Sequence, residues 1–133
     1  MILLDSSVWV DYLRGRPGPA TQHVRDLIRD GASLAVTEPV AMELLGGAPD
    51  DAALERLETL VSGLPLLAGD AHLDYRAAAT IYRSARRRGL TVRKLVDCLI
   101  AAVALGTGTR LVHKDVDFEV IAAVVPLDAV SLR

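Results

Sequence analysis

The sequence predicts one three-layer α/β/α domain with a mostly parallel central sheet, on three observations. The chain has 133 residues, about the modal length of a single globular domain. Apolar residues make up 51% of it and charged residues 24%, which is enough apolar side chain for a sizeable core. Short apolar runs alternate with stretches of helical period, as is typical of parallel strands joined by helices. No repeat or linker interrupts this pattern, so the predicted domain spans residues 1–133.

The first half of the chain predicts two strands and four helices. In order, they are a strand at 1–4, a helix at 7–14, a helix around 24–28, a strand at 33–36, a helix at 37–47 and a helix from 50 or 51 to 62. Asp5-Ser6-Ser7 are N-cap residue types, and Pro39 is tolerated in a first helical turn. Paired glycines close the helix at 37–47. In the next helix, Leu54, Leu57 and Val61 are expected to face inward.

The second half predicts three strands and three helices. In order, they are a weak strand at 64–68, a helix at 70–88, a nearly all-apolar helix at 96–105, a strand at 109–113, a helix at 117–123 and a strand at 124–127. Along the helix at 70–88 we expect an apolar line, made of Leu73, Ala77, Ile81 and Ala85. Pro126 places the last strand at an edge of the sheet, because proline cannot donate to a ladder.

Composition excludes several classes of protein. Lys and Arg total 15 against 17 Asp and Glu, so the formal charge of −2 excludes a globally basic nucleic-acid protein, although not a local basic patch. The single cysteine, Cys98, excludes an internal disulfide framework and a cysteine zinc cluster. The longest apolar run has eight residues, whereas a membrane-spanning helix needs roughly 20. No basic leader precedes Asp5, so we expect a cytoplasmic protein without membrane contact.

Two acidic residues fall where a sheet of this kind places its ligand sites. Such sites lie just beyond the carboxyl ends of the strands, near the point where the strand order reverses. Asp5 directly follows the first predicted strand, and Asp115 follows the strand at 109–113. Taken alone, each residue is more simply explained as an N-cap of the following helix.

Two further acids occur within apolar helices. Glu43 shares a helix line with Pro39, Val40 and Leu44, so it should point partly inward. Asp97 lies at the head of the most apolar helix of the chain. A buried, unpaired carboxylate is unfavourable by several kcal/mol, so it must be neutralised, paired or bound to a cation. The helix dipole, worth about 0.3–1 kcal/mol, would suffice only if Asp97 were exposed.

The four carboxylates together indicate a divalent metal site. Carboxylates gathered in one pocket repel one another and need a cation. Mg²⁺ prefers oxygen ligands and is usually held by one or two carboxylates and by phosphate oxygens of a substrate. Zinc is not favoured, because His23, His72 and His113 are scattered rather than paired at ligand spacing.

Four acidic motifs follow one another along the chain. They are Asp5-Ser6-Ser7 after an N-terminal strand, Glu43 in a helix, Asp97-Cys98-Leu99-Ile100-Ala101-Ala102, and Asp115-Val116-Asp117-Phe118. In order and spacing this set resembles the PIN-domain ribonucleases, and more narrowly the VapC-type toxins of bacterial type II toxin–antitoxin systems. The resemblance spans essentially the whole chain and implies a compact PIN-like α/β/α fold.

The resemblance also implies an activity and its residues. Asp5, Glu43, Asp97 and Asp115 would be catalytic and would bind one or two Mg²⁺ ions, with Mn²⁺ able to substitute. Asp117 would be an auxiliary metal-binding acid, and Ser6 or Ser7 would orient a carboxylate or a water. The reaction would be endonucleolytic hydrolysis of cellular RNA, tRNA or rRNA, leaving a 5′-phosphate and a 3′-hydroxyl.

The resemblance implies partners as well. Such toxins are usually homodimers, and a cognate antitoxin holds them inactive in a toxin–antitoxin hetero-oligomer. The antitoxin can place a basic side chain in the acidic pocket. One position departs from the family pattern, because His113 stands where Thr or Ser is common. This histidine either packs at the strand end, which we expect, or supplies a pH-dependent contact.

A cluster of positive residues predicts where RNA binds. Seven cations and no acid lie between positions 76 and 94, namely Arg76, Arg83, Arg86, Arg87, Arg88, Arg93 and Lys94. Tyr75 and Tyr82 lie on a neighbouring line of the same helix and could stack on bases. A merely solvated helix face in an arginine-rich chain remains the alternative.

Two other functions remain open. A small Mg²⁺-dependent phosphohydrolase or phosphoacceptor receiver also gathers acids at strand ends. Phosphoacceptor hydrolases commonly need a second Asp two residues after the first, and that position is Ser7 here. A catalytically inactive PIN-like module that binds RNA or acts as a scaffold is the third possibility, which retention of all the acids disfavours.

Overall fold

The computed structural model describes residues 1–133 and confirms the predicted α/β/α class, with seven helices and a four-stranded parallel sheet. The strands are β1 (Ile2–Leu4), β2 (Leu34–Ala35), β3 (Arg110–His113) and β4 (Ala129–Ser131). Their order across the sheet is β2-β1-β3-β4. The register pairs Leu4 with Val112, so β1 and β3 end at nearly the same level. None of the helices has the length and apolarity needed to cross a membrane.

Seven helices connect and cover these strands. They are α1 (Ser6–Leu13), α2 (Pro19–Arg29), α3 (Glu38–Gly46), α4 (Asp51–Ser62), α5 (Ala71–Arg87), α6 (Leu95–Thr107) and α7 (Val116–Val124). Five of them begin at a side chain that accepts a backbone hydrogen bond, and these caps are Asp5, Thr37, Asp50, Asp70 and Asp115. The caps at positions 5 and 115 start helices directly beyond strand ends, which places both acids at one edge of the sheet.

The strand order creates a switch point between β1 and β3. From β1 the chain crosses through α1 and α2 to β2 on one side, and it later returns to β3 on the other side. In open parallel sheets the crevice outside such a point is where ligands bind. Asp5 directly follows β1 and Asp115 lies two residues beyond β3, so both stand at this crevice.

Two of the predicted strands are wrong. The segment 64–68 makes only a single parallel bridge, between Val36 and Leu66. Two backbone hydrogen bonds hold this segment: the Val36 N–H donates to the Pro65 carbonyl, and the Leu67 N–H donates to the Val36 carbonyl. A longer ladder does not form, because Pro65 has no N–H to donate. At the other edge, Val124 is the last residue of α7, and the strand forms after Pro126, at β4.

The inward faces of two helices also differ from expectation. In α5 the predicted line fails at Leu73, which is 60% exposed, and at Ala77; the buried residues are Asp74, Ala78, Ile81 and Ala85. An acid therefore occupies one position of the face that packs on α6. In α4 the predicted line fails at Leu54, which is exposed. Leu57 and Val61 are partly buried and pack against the core, as predicted, although no residue of α4 is fully buried.

The core lies on both faces of the sheet and includes most of α6, as the apolar run predicts. Phe118 is fully buried and packs against the His113 ring at 5.2 Å between centroids. We expect Phe118→Ala to lower the free energy of unfolding by about 3–5 kcal/mol, because it removes contacts and leaves a cavity. Urea denaturation measures this value. Met42→Ala, at a position 61% exposed, is the control; an equal loss in both variants would contradict this account of the core.

Candidate active site

All five predicted acids come together beyond the carboxyl ends of β1 and β3. They form two overlapping groups, Asp5 with Glu43 and Asp97, and Asp97 with Asp115 and Asp117. In each group, one oxygen from each residue lies within 4.8 Å of the others. Asp97 belongs to both groups and is their shared centre.

Asp5 is both an N-cap and a member of the site. Its Oδ2 accepts hydrogen bonds from the Ser7 N–H at 3.1 Å and from the Ser7 hydroxyl at 2.5 Å. Its Oδ1 is buried and has no hydrogen-bond partner. The two interpretations of Asp5 are therefore compatible, because one oxygen caps α1 and the other remains available to a ligand.

Glu43 reaches the site from the middle of α3. The Ser6 hydroxyl donates to its Oε1 at 3.2 Å, which holds the carboxylate beside Asp5. Burial raises the pKa of Glu43, and the nearby Asp5 carboxylate raises it further. Ser6 and Ser7 thus each orient one carboxylate of the first group.

Asp97 is the most strongly perturbed acid of the site. Its side chain is fully buried in the first turn of α6, and neither carboxylate oxygen accepts a hydrogen bond from an N–H or a hydroxyl group. A proton on Asp97 allows a side-chain hydrogen bond with Asp117. Burial raises its pKa to about 8, although the Lys94 ammonium, 3.6 Å away, lowers it and Asp5 raises it. Such a group is a protonated acid in the metal-free protein near neutral pH and a ready ligand once a cation is present.

By contrast, the negative charges of Asp115 and Asp117 are stabilised by hydrogen-bond donors and by a cation. Asp115 caps α7 by accepting from the Asp117 N–H at 2.9 Å, and it pairs with the Lys94 ammonium at 2.9 Å. Asp117 accepts from the backbone N–H groups of Arg93 and Lys94. Burial works against ionisation, but these donors hold the pKa values of both carboxyls below their usual range.

His113 packs at the end of β3. Its ring is 1% exposed, and its Nδ1 accepts a hydrogen bond from the Asp115 N–H at 3.2 Å, so the ring proton is on Nε2. Burial lowers its pKa, which keeps the imidazole neutral at neutral pH. The histidine helps to position the loop that carries Asp115.

Sequence reasoning missed a second tether of that loop. The Lys114 ammonium donates to Asp11 of α1, which is 7% exposed, while the Lys114 N–H donates to the Ser7 hydroxyl at 3.2 Å. The one available signal was an acid inside the helix at 7–14. Its partner is 103 residues away in the chain, so spacing could not identify the pair.

The seven candidate RNA-binding cations fall into three environments. Arg76, Arg83, Arg86 and Arg87 are exposed on α5 and take part in no salt bridge, and the Arg86 guanidinium lies 5.7 Å from the centroid of the Tyr82 ring. Arg88 donates to the Ala123 carbonyl at 2.7 Å. Arg93 and Lys94, which lie between α5 and α6, pair with the acids of the site.

The donor set fits a hard divalent cation. Every ligand candidate is a carboxylate oxygen, which suits Mg²⁺ or Mn²⁺ rather than zinc. Asp5 Oδ1 and both oxygens of Asp97 are buried and unpartnered, which is unfavourable unless a cation or a proton is bound. Two sets of oxygens could each hold such a cation, namely Asp5 with Glu43 and Asp97, and Asp97 with Asp115 and Asp117.

The fold and the site together define a class of α/β/α domains that gather acidic side chains at the switch point of a parallel sheet. Comparisons with known proteins narrow this class. The PIN domain family model matches residues 2–124. Ribonuclease VapC11 of Mycobacterium tuberculosis is 52% identical over 134 residues, which cover all of both chains. Ribonuclease VapC19 of the same species is 36% identical over 118 residues, or 87% of this chain and 90% of that protein.

Solved structures agree on the fold. The structure of VapBC2 from Rickettsia felis, bound to a DNA fragment from its promoter, contains a chain that matches with a TM-score of 0.77 at 18% identity and full coverage of both chains. A chain in VapBC-1 from nontypeable Haemophilus influenzae matches with a TM-score of 0.78 at 18% identity, over 99% of this chain and 98% of that one. The chain belongs to the PIN-domain family, within its VapC group of ribonuclease toxins.

Proposed function

We propose that this protein is a Mg²⁺-dependent endoribonuclease toxin that cuts cellular RNA, tRNA or rRNA, with Mn²⁺ able to replace Mg²⁺. The observation that carries the proposal is the pair of buried acids, Asp5 and Asp97, whose unpartnered oxygens meet beside Glu43. A purely structural site would have these oxygens hydrogen-bonded, as those of Asp117 are. The sequence relatives named VapC ribonucleases support the RNA substrate.

The chain's own residues prepare the site for hydrolysis of a phosphodiester. A divalent ion bound there would supply Lewis-acid stabilisation of the charge that develops on the phosphate oxygens. Ser7 fixes the orientation of Asp5, and Ser6 fixes that of Glu43. Arg93 and Lys94 add positive charge at the rim, where a phosphate would approach. Water attack would leave a 5′-phosphate and a 3′-hydroxyl. Attack by a ribose 2′-hydroxyl is not supported, because His113 is buried and the Lys94 ammonium is paired with the carboxylates of Asp97 and Asp115.

Cleavage of total cellular RNA by the purified protein tests the proposal. We expect cutting with Mg²⁺ or Mn²⁺, none with chelator, and none by Asp5→Asn or Asp97→Asn, with 5′-phosphate ends on the products. Asp30→Asn is the matched control, because this carboxylate is 65% exposed at the end of α2 and belongs to neither acidic group. Cleavage that persists in both site variants would exclude this site. Tight RNA binding without cleavage would favour the scaffold alternative.

We propose that the exposed α5 arginines hold the RNA backbone. Replacing Arg86 and Arg87 by Glu is expected to weaken RNA binding and to flatten the slope of log affinity against log salt, because fewer counterions are released. Filter binding or fluorescence anisotropy at several salt concentrations measures that slope. The control carries the same charge change at two exposed arginines outside α5, Arg25 and Arg110. An unchanged slope in the α5 variant would remove these residues from the RNA footprint.

We also propose that the protein is a cytoplasmic homodimer neutralised by a cognate antitoxin. A chain of similar fold comes from a toxin–antitoxin complex of Klebsiella pneumoniae, which supports a hetero-oligomer. A cavity of about 440 Å³ between α1, α3 and α4 has mainly apolar lining and opens beside Glu43. A partner segment seated there could extend a basic side chain to the acids of the site, as the family resemblance implies.

A further inference from the structure

The two acidic groups of the site differ in what the protein itself places against them. We call Asp5, Glu43 and Asp97 the inner group, and Asp97, Asp115 and Asp117 the outer group. The groups share Asp97, and each offers three oxygens within 4.8 Å of one another. Ligand geometry alone would therefore permit one ion in each.

Protein donors already saturate the two acids that belong only to the outer group. Lys94 Nζ lies 2.9 Å from Asp115 Oδ2, and the Arg93 guanidinium lies 3.1 Å from Asp115 Oδ1 and 3.2 Å from Asp117 Oδ1. The Lys94 N–H donates to Asp117 Oδ2 at 2.9 Å. All four oxygens of Asp115 and Asp117 thus accept at least one hydrogen bond, and three of them accept from a cationic side chain.

The inner group has no such compensation. Asp5 Oδ1 and both Asp97 oxygens are buried without a hydrogen-bond partner, and Asp5 and Asp97 are at most 1% exposed. Glu43 accepts only from the neutral Ser6 hydroxyl. The nearest cation, Lys94, approaches the group only at Asp97 Oδ2, at 3.6 Å. The inner group therefore needs a cation or a proton, whereas the two acids found only in the outer group already have cationic partners.

Building on the proposed function, we infer that this chain holds one divalent ion, in the inner group, and that Arg93 and Lys94 occupy the outer position in its place. The two side chains come from the segment that leads into α6, and Asp117 binds that segment through its backbone as well. A second ion could enter only by breaking charge-assisted hydrogen bonds on Asp115 and Asp117 together. Mg²⁺ does not favour that exchange, because it dehydrates reluctantly and binds few carboxylates at a time.

Counting bound Mn²⁺ tests the inference independently of cleavage. Titration of the full chain, followed by calorimetry and by the electron paramagnetic resonance signal of free Mn²⁺, should give one ion per wild-type chain. The double variant Arg93→Ala/Lys94→Ala should bind two, because the outer acids then lack a cation. The control Arg29→Ala/Arg110→Ala removes two other aspartate-paired arginines and should still bind one.

A second measurement covers the case in which the double variant fails to fold. Asp5→Asn should lower the affinity for Mn²⁺ by at least about 10-fold, the size of effect that even outer-shell partners of a metal site produce. Asp115→Asn should leave both the affinity and the count of one nearly unchanged. Equal losses in these two variants would overturn the inference.

The outcomes separate the inference from the function on which it rests. Two ions per wild-type chain, with cleavage intact, would overturn the single-ion inference and leave the nuclease proposal standing. One ion in the folded double variant would show that Arg93 and Lys94 do not exclude a second. No bound Mn²⁺ and no cleavage by the wild type would overturn the metal-dependent function itself.

Discussion

Asp97→Asn is expected to abolish RNA cleavage and, at the same time, to stabilise the metal-free protein. The carboxylate is fully buried with two unpartnered oxygens, so removing its charge relieves an unfavourable burial. The asparagine amide can also donate to the neighbouring carboxylates of Asp5 and Asp117. We expect a gain of about 1–3 kcal/mol in the free energy of unfolding in chelator at pH 8.

Cleavage should fall at least about 100-fold, because the residue shared by both acidic groups is lost. Urea denaturation with chelator and RNA cleavage with Mg²⁺ measure the two effects on the same preparation. Asp30→Asn should change neither, since its side chain is exposed. Loss of stability together with activity would mean that the Asp97 carboxylate is a structural group and not a metal ligand.

The metal-free protein is also expected to become less stable as the pH rises from about 4 to about 8. Burial raises the pKa of Asp97 from its ordinary value of 3.8 to about 8 in the folded protein. Between these values the unfolded chain has lost the proton and the folded chain retains it. The native state then binds more protons, so the free energy of unfolding falls with pH, by up to about 1.4 kcal/mol per unit.

The other acids affect this profile in identifiable ways. Glu43, whose pKa burial also raises, contributes a fall of the same sign. The pKa values of Asp115 and Asp117 are lowered, so their contribution is present above their ordinary range and is lost only in more acidic solution. Above pH 8 the contribution of Asp97 no longer changes.

Urea denaturation in chelator at several pH values measures this profile. Asp97→Asn should flatten the fall, and Asp30→Asn should keep it. Saturating Mg²⁺ should stabilise the wild type more at pH 8 than at pH 5, because the ligands must be deprotonated to bind. A stability that is constant or rises between pH 5 and pH 8 in chelator would contradict the raised pKa of Asp97.

The acids of the site could be predicted from sequence because local patterns report on them. Asp5 and Asp115 follow apolar strands, and parallel strands bring their carboxyl ends to one edge. Asp97 interrupts an apolar helix, where a buried charge is unfavourable unless it is paired or bound to a cation. The pairing of Arg93 and Lys94 with these acids could not be predicted, because it depends on how the chain enters α6 beside α7.

The helices of the fold could be predicted from the sequence more accurately than the outer strands of the sheet. Elements with a strong apolar period and a clear cap, such as α1 and α5, lie within one or two residues of their predicted bounds. The outer strands of the sheet could not be predicted from apolar character alone. Residues 64–68 and 124–127 are mostly apolar, but each segment contains a proline, which cannot donate a backbone hydrogen bond to a neighbouring strand. The buried face of α5 was misassigned because Asp74 occupies a core position that sequence alone would assign to a hydrophobic residue.

The short outer strands of the sheet have a consequence for how the protein behaves in solution. At one edge of the sheet, β2 has only two residues and is followed by a single bridge at Val36. At the other edge, β4 has only three residues. Long unpaired borders invite strands of other molecules to add, which is a common route to aggregates and fibres. Here few free backbone groups are offered, and Pro65 and Pro126 interrupt the neighbouring segments. A chain in which half the residues are apolar is thereby protected from edge-to-edge self-association.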